Sequence, residues 1–159
     1  MYTINIIGAG RLGKTIGKLI VINKAGSIQG ICNQSIKSSI LAAQYIGEGE
    51  IFNKISELPS ADITFITTPD ENIKNSAREL SKSDYLKRNS TILHCSGALM
   101  SSELESLKSK DCNIASVHPM HSFASPDISV HKFKNTYCAM EGDDDAKKIL
   151  GQLFSNIGV

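Results

Sequence analysis

Five short stretches hold residue types whose spacing suits chemistry. The first is Gly8-Ala9-Gly10-Arg11-Leu12-Gly13, a G-x-G-x-x-G interval set between the apolar run Ile4-Asn5-Ile6-Ile7 and a helical apolar pattern. The interval alone is weak; between a strand and a helix each glycine has a mechanical role. Gly8 permits the tight turn, Gly10 lets the main chain approach a pyrophosphate, and Gly13 lets the helix pack close to the strand. The helix N-terminus then offers unpaired N–H groups and partial positive charge to phosphates. Ala9, Arg11 and Leu12 belong to the same phosphate-facing loop. The bland alternative is a glycine-rich turn that binds nothing.

The second stretch is Ile31-Cys32-Asn33-Gln34-Ser35-Ile36-Lys37. NAD-binding chains place an acid about 20 residues past the glycines to take the ribose 2′-hydroxyl. No Asp or Glu is present here. Asn33, Gln34, Ser35 and Lys37, with Arg11 in the glycine loop, are suited instead to a 2′-phosphate, which an acid would repel. NADP is the expected cofactor and NAD the alternative; an ordinary polar turn is the plain reading. The third stretch, Thr67-Thr68-Pro69-Asp70, follows the clearest strand and suits close contact with a ribose or nicotinamide, or simply a helix cap at Asp70.

The fourth and fifth are His94-Cys95-Ser96-Gly97-Ala98 and His118-Pro119-Met120-His121-Ser122-Phe123, each after a strand. They place three of the four histidines on loops of one face. His118 is the candidate proton-handling group, with His94 and Ser96 as helpers beside a nicotinamide ring. A zinc site made by His94, His118 and His121 and a Cys95–His118 nucleophile pair are weaker alternatives, since no carboxylate sits at tight spacing. Histidines satisfied by local hydrogen bonds are the remaining one.

The elements that must position these stretches alternate in type. Strands are expected at 4–7, 28–32, 63–67, 91–94, 113–117 and 136–140, with a minor one at Ile51. Helices are expected at 12–22, 38–45, 71–80, 101–107 and 146–157, with Asp143-Asp144-Asp145 as the last cap. The alternation predicts a single α/β domain over residues 1–159 with a doubly wound, mostly parallel sheet. Residues 118–134 are expected to form the longest loop, a place where function often sits.

Composition narrows the function classes. The 159 residues carry 17 Lys and Arg against 16 Asp and Glu, so no net field nominates nucleic acid or an anionic membrane. No apolar run approaches the roughly 20 residues of a spanning helix, and Met1-Tyr2-Thr3 lacks the basic start of a signal peptide. The four scattered cysteines, without a Cys-x-x-Cys, fit reduced thiols in a cytoplasm.

In this order, Gly8-x-Gly10-Arg11-x-Gly13, Thr68-Pro69-Asp70-Glu71-Asn72-Ile73, His94-Cys95-Ser96-Gly97-Ala98 and Val117-His118-Pro119-Met120-His121-Ser122-Phe123 resemble the Rossmann-like oxidoreductases of the DUF2520 family. That family is related to pyrroline-5-carboxylate reductase, prephenate dehydrogenase and the deazaflavin-dependent NADP reductases. The resemblance spans essentially the whole chain and implies a Rossmann-type fold. It also implies a nicotinamide cofactor contacted by Thr68, Pro69, Asp70 and Ile73, and a proton-handling role for His118. Members of the family continue into an all-helical C-terminal domain that dimerises and completes the cleft, whereas this chain reaches Val159 about where that domain would begin. Exposed apolar surface and self-association into a homo-oligomer are therefore expected. NADP-using relatives often carry Arg after the Asn, where this chain has Gln34.

The expected function is that of an NAD(P)-dependent oxidoreductase, or of its cofactor-binding domain, transferring a hydride between NADP(H) and a small alcohol, carbonyl or imine substrate. A non-catalytic dinucleotide-binding sensor is the alternative from another class. A methyltransferase using the glycine loop for S-adenosylmethionine is disfavoured by the missing acid after the second strand.

Overall fold

Short β-branched runs separated by amphipathic stretches leave the chain one economical arrangement: strands in the middle, helices on both faces. The computed structural model describes residues 1–159 and has this layering. In chain order the elements are β1 (Tyr2–Ile7), α1 (Arg11–Ile22), β2 (Gly26–Cys32), α2 (Ile36–Ile46), β3 (Glu50–Ile51), β4 (Ile63–Ile66), α3 (Asp70–Leu80), β5 (Thr91–His94), β6 (Asn113–Pro119), α4 (Pro126–Lys132), β7 (Cys138–Gly142) and α5 (Asp144–Asn156). Two 3₁₀ segments, Ile55–Glu57 and Ser101–Lys110, complete the chain. The seven strands lie in the order β3-β2-β1-β4-β5-β6-β7, all pairs parallel except β6 with β7. This is the doubly wound, mostly parallel α/β sheet expected. No helix is long and apolar enough to cross a membrane.

The pleat divides the core into two. Ile4, Ile6, Phe65, Leu93 and Val117 point to the face covered by α1, α2 and α5, where Ile16, Ile20, Leu150 and Phe154 meet them. Ile7, Ile66, Ile92 and Ile114 point to the other face, covered by Ile73 and Ala77 of α3 and by Leu104 and Leu107 of the second 3₁₀ segment. β4 and β5 are buried at all four positions, as strands covered on both sides must be.

Three expectations change. The residues 118–134 are not one loop: His118 and Pro119 complete β6, and Pro126–Lys132 forms α4. Pro126 opens that helix rather than breaking structure, because proline at the first helical position loses no needed N–H. The helix expected from Ser101 has 3₁₀ geometry and runs to Lys110. The last strand is Cys138–Gly142 rather than 136–140, its register set by antiparallel pairing of Val117 with Met140.

At the amino ends of the strands, Asp62 clips β1 to β4. Its carboxylate accepts from Thr3 N–H and Thr3 Oγ1, both at 2.9 Å, and from Lys87 Nζ. The Lys87 bond first, then the Thr3 N–H, holds the carboxyl down at about 2. A lowered carboxyl contributes stability above its unfolded pKa of about 3.9 and loses it as pH falls through the folded value. Asp62→Asn is therefore expected to lower unfolding stability by about 1 kcal/mol at pH 7, the worth of a partly exposed bonded pair. In urea melts, the gap between variant and parent should close as pH falls from about 4 to about 2; a gap independent of pH would contradict the assignment.

Candidate functional site

The sheet reverses direction between β1 and β4: β2 and β3 extend one way, β4 to β7 the other. At such a switch point the loops after adjacent strands part to different faces and leave a crevice. Gly8 sits at its apex with φ +80°, a left-handed turn that L side chains resist. A Cβ there would lie 2.6 Å from Thr68 Cγ2 and 2.8 Å from Thr68 N, so only glycine lets the two loops touch. Gly13 is constrained by packing, since a Cβ would stand 2.5 Å from Thr67 Oγ1 and 3.4 Å from Ile6 Cγ2. Over Gly10 the space is open, with Gly8 O the nearest atom at 3.9 Å. The three glycines thus divide the roles assigned from their spacing: turn, open approach, close packing.

Two neighbouring strand ends, those of β2 and β4, hold the loop. Thr67 Oγ1 donates to Gly8 O (2.9 Å), Gly8 N–H donates to Cys32 O (2.9 Å), and Ala9 N–H donates to Asn33 Oδ1 (2.6 Å). Helix α1 then starts at Gly10 with no side-chain cap and no acid in its first turn. Its opening N–H groups lack the partners that caps usually supply.

Two clefts meet over Gly8 and Thr68. One, of about 500 Å³, lies between the ends of β2 and β3 and helix α3, lined by Asn33, Gln34, Asn53, Lys54, Asn72 and Asn75. The other, of about 560 Å³, is lined by Ala9, Gly10, Leu12, Asp70, Cys95 and Ser96. Thr68 and Pro69 border both, and Thr68 Oγ1 is buried with no partner.

A model of the Rossmann-like domain matches residues 1–119. The chain belongs to that family. No curated protein matches it. Among solved structures, this Rossmann-like domain is similar to a prephenate dehydrogenase from A. aeolicus solved with hydroxyphenyl propionate and NAD+ (18% identity, TM-score 0.78). It is also similar to a Synechocystis arogenate dehydrogenase (16%, 0.80) and a pyrroline-5-carboxylate reductase from Coxiella burnetii (15%, 0.75). These matches cover 99%, 99% and 98% of this chain but 58%, 57% and 56% of the others, so the chain spans little more than half their length. At such identities the likeness is one of fold. Prephenate dehydrogenase and pyrroline-5-carboxylate reductase are two of the groups that the motif order resembles.

Not every residue singled out from sequence reaches the clefts of the Rossmann-like domain. Gly8, Ala9, Gly10, Leu12, Asn33, Gln34, Thr67, Thr68, Pro69, Asp70 and Ser96 do. Gly13 supports the loop from beneath. Arg11 and Lys37 are exposed and line neither cleft, and Ser35 is occupied as the N-cap of α2, accepting from Ser38 N–H (3.2 Å). Ile73 is turned into the core beneath α3. His94 is wholly buried: Ser96 N–H donates to its Nδ1 (3.2 Å), so Nε2 carries the proton and donates to Met100 O (3.0 Å). Ser96 Oγ accepts from Ala98 and Leu99 N–H and donates to Asp70 Oδ2 (2.9 Å), which fills its capacity. His118 lies against Gly97, where a Cβ would be 2.6–2.9 Å from the ring, with Nδ1 buried and unpartnered, and it lines neither cleft. His121 packs edge-on against Phe123 and Phe133, away from His94's bonds. Burial raises the Cys95 thiol, the reverse of what a thiolate nucleophile needs.

Residues the motifs did not mark also line the clefts: Asn53, Lys54 and Ser56 after β3, and Asn72, Asn75, Ser76 and Glu79 of α3. The α3 set is spaced i, i+3, i+4, i+7, a polar helical stripe visible in the sequence. The loop after β3 carries no such signal.

The glycines should separate in experiment. Gly8→Ala is expected to destabilise the fold by about 1–3 kcal/mol, from left-handed strain and the clash with Thr68, while Gly10→Ala melts within about 0.5 kcal/mol of the parent, as surface changes do. Equal losses in thermal unfolding would contradict the division of roles.

Proposed function

We infer that this chain is an oxidoreductase, or the cofactor-binding domain of one, that uses NADP(H) and a small alcohol, carbonyl or imine substrate. One observation carries the reading: two clefts meet at the switch point over Gly8 and Thr68, with an open approach at Gly10 and an uncapped α1 N-terminus between them. That shape suits a two-part nucleotide whose pyrophosphate lies on the glycine loop. The α1 N–H groups would hold the pyrophosphate, Asn72 and Asn75 would face the adenosine end, and Thr68 Oγ1, buried without a partner, would gain one from the ligand. Asp70 and Ser96, hydrogen-bonded to each other, would wall the nicotinamide end. The bound cofactor supplies the hydride chemistry.

In the same reading His118 handles the proton that accompanies the hydride. Its imidazole is partly buried and its buried Nδ1 lacks a partner, and imidazole is the side chain that exchanges protons near neutral pH. His94, with both nitrogens bonded to the main chain, is assigned to position the turn 95–99 rather than to touch substrate. Self-association belongs to this proposal as well, supported by the exposure of neighbouring Met120 and Tyr137. A dinucleotide-binding module without turnover is the second reading, favoured by the absence of any histidine from either cleft lining.

The deciding experiment is a fluorescence or calorimetric titration with NADPH, NADH and S-adenosylmethionine. NADPH is expected to saturate one site and S-adenosylmethionine to leave the protein unchanged. Gly10→Val should abolish binding with an unchanged melting curve; a Gly10→Val protein that binds as well as the parent refutes the site. Once a substrate is turned over, His118→Asn should lower turnover by about 10²–10⁴-fold, the worth of a general acid or base, with dinucleotide affinity unaltered. A variant as active as the parent would leave the binding module standing.

A further inference from the structure

We propose that Lys54, in the loop after β3, is the residue that selects a 2′-phosphorylated dinucleotide. The inference rests on the cofactor reading above and names a specificity residue within it. The position that takes an acid in NAD-binding chains is Asn33, and no carboxylate follows it through Lys37. A 2′-phosphate is not repelled there, but it needs a cation. Neither nearby candidate in the sequence supplies one to the cleft, since Arg11 and Lys37 line no part of it. Ser35 Oγ is taken by the α2 cap, and Asn33 Oδ1 by Ala9 N–H, which leaves Asn33 only its amide N–H groups to offer.

After the neighbouring strand the situation is different. Phe52 N–H donates to Ile31 O (3.0 Å), which holds the end of β3 beside the end of β2. Asn53 and Lys54 therefore stand beside Asn33 and Gln34, and Lys54 is the one cation in the lining of that cleft. Its ammonium has a single partner, Glu57 at 3.1 Å, in a pair whose side chains are 72% and 48% exposed. An exposed i, i+3 pair is weak and screened, so the lysine is free to move to a phosphate dianion. The cleft's carboxylate, Glu79, is engaged by Lys82 at 2.6 Å at its far side on α3. Lys37 at the start of α2 lies outside this arrangement; the cation comes from the loop after the neighbouring strand.

The test uses binding, not turnover. Affinities for NADPH, NADH, adenosine 2′,5′-bisphosphate and 5′-AMP are measured by calorimetry on the parent, Lys54→Gln, Lys37→Gln and Arg11→Gln at low salt. The last two ligands differ only in the 2′-phosphate. Lys54→Gln is expected to weaken NADPH and the bisphosphate about tenfold, the worth of one charge-assisted bond. NADH and 5′-AMP should change less than twofold, and the Lys37 and Arg11 variants should keep the parent's NADPH-to-NADH ratio. A ratio unchanged by Lys54→Gln, an equal loss for all four ligands, or a ratio moved by Lys37 or Arg11 instead overturns the assignment. A parent protein that binds neither dinucleotide overturns the cofactor reading itself, a different result from NADPH binding that ignores Lys54.

Discussion

Everything at the carboxyl end of the sheet depends on one close approach, the contact between the main chain of Gly8 and Thr68. β1 and β4 are parallel neighbours in space but far apart in sequence, and the order of strands in the sheet reverses between them. The two loops can touch only because Gly8 has no side chain and accepts a left-handed turn. Once they touch, Thr67 Oγ1 reaches Gly8 O, Asn33 reaches Ala9 N–H, and the loop's polar groups are met from β2 and β4. What stays unmet is the set of N–H groups opening α1 and the hydroxyl of Thr68. A buried hydroxyl without a partner costs about 1–3 kcal/mol. Folding therefore leaves the opening N–H groups of α1 and the Thr68 hydroxyl without partners beside the glycine loop, where a polar ligand would relieve them.

The two-sided core explains how much of this was legible in the sequence. Ile4, Ile6 and Ile7, or Ile63, Phe65 and Ile66, feed both faces, so the central strands read as unbroken apolar runs. α1 and α3 read equally clearly, because each has one apolar stripe and a start marked by glycine or acids. α4 did not. It is seven residues long, and it anchors through buried Ser129 and the following Phe133, neither of which makes a periodic pattern. β7 reads two residues early because its limits are set by antiparallel pairing with β6, a partner that local sequence does not name.

The candidate site was legible by residue type and position along the strands, less so by orientation. A strand end tells which loop a side chain belongs to, not which hydrogen bond captures it. Ser35 and Ser96 show this: each has the hydroxyl expected to meet a ligand, and each hydroxyl is claimed locally, by the α2 cap and by Ala98, Leu99 and Asp70. The wall formed by Asn53 and Lys54 was not legible for the opposite reason. It comes from a connection after a two-residue strand, and only the Phe52–Ile31 hydrogen bond brings it beside Asn33.

The same network links the two clefts to His118. His94 bonds to Ser96 N–H with one nitrogen and to Met100 O with the other, so a single ring braces both ends of the turn after β5. Ser96 Oγ ties that turn to the first residue of α3 through Asp70. Gly97, at the centre of the turn, lies flat against the imidazole of His118, which no side chain larger than hydrogen at 97 would allow. His118 is thus placed by β6 itself and by the turns after β4 and β5, and owes nothing directly to the glycine loop. Asp70 and Ser96 belong to both systems, since they line the second cleft and support the turn that carries Gly97.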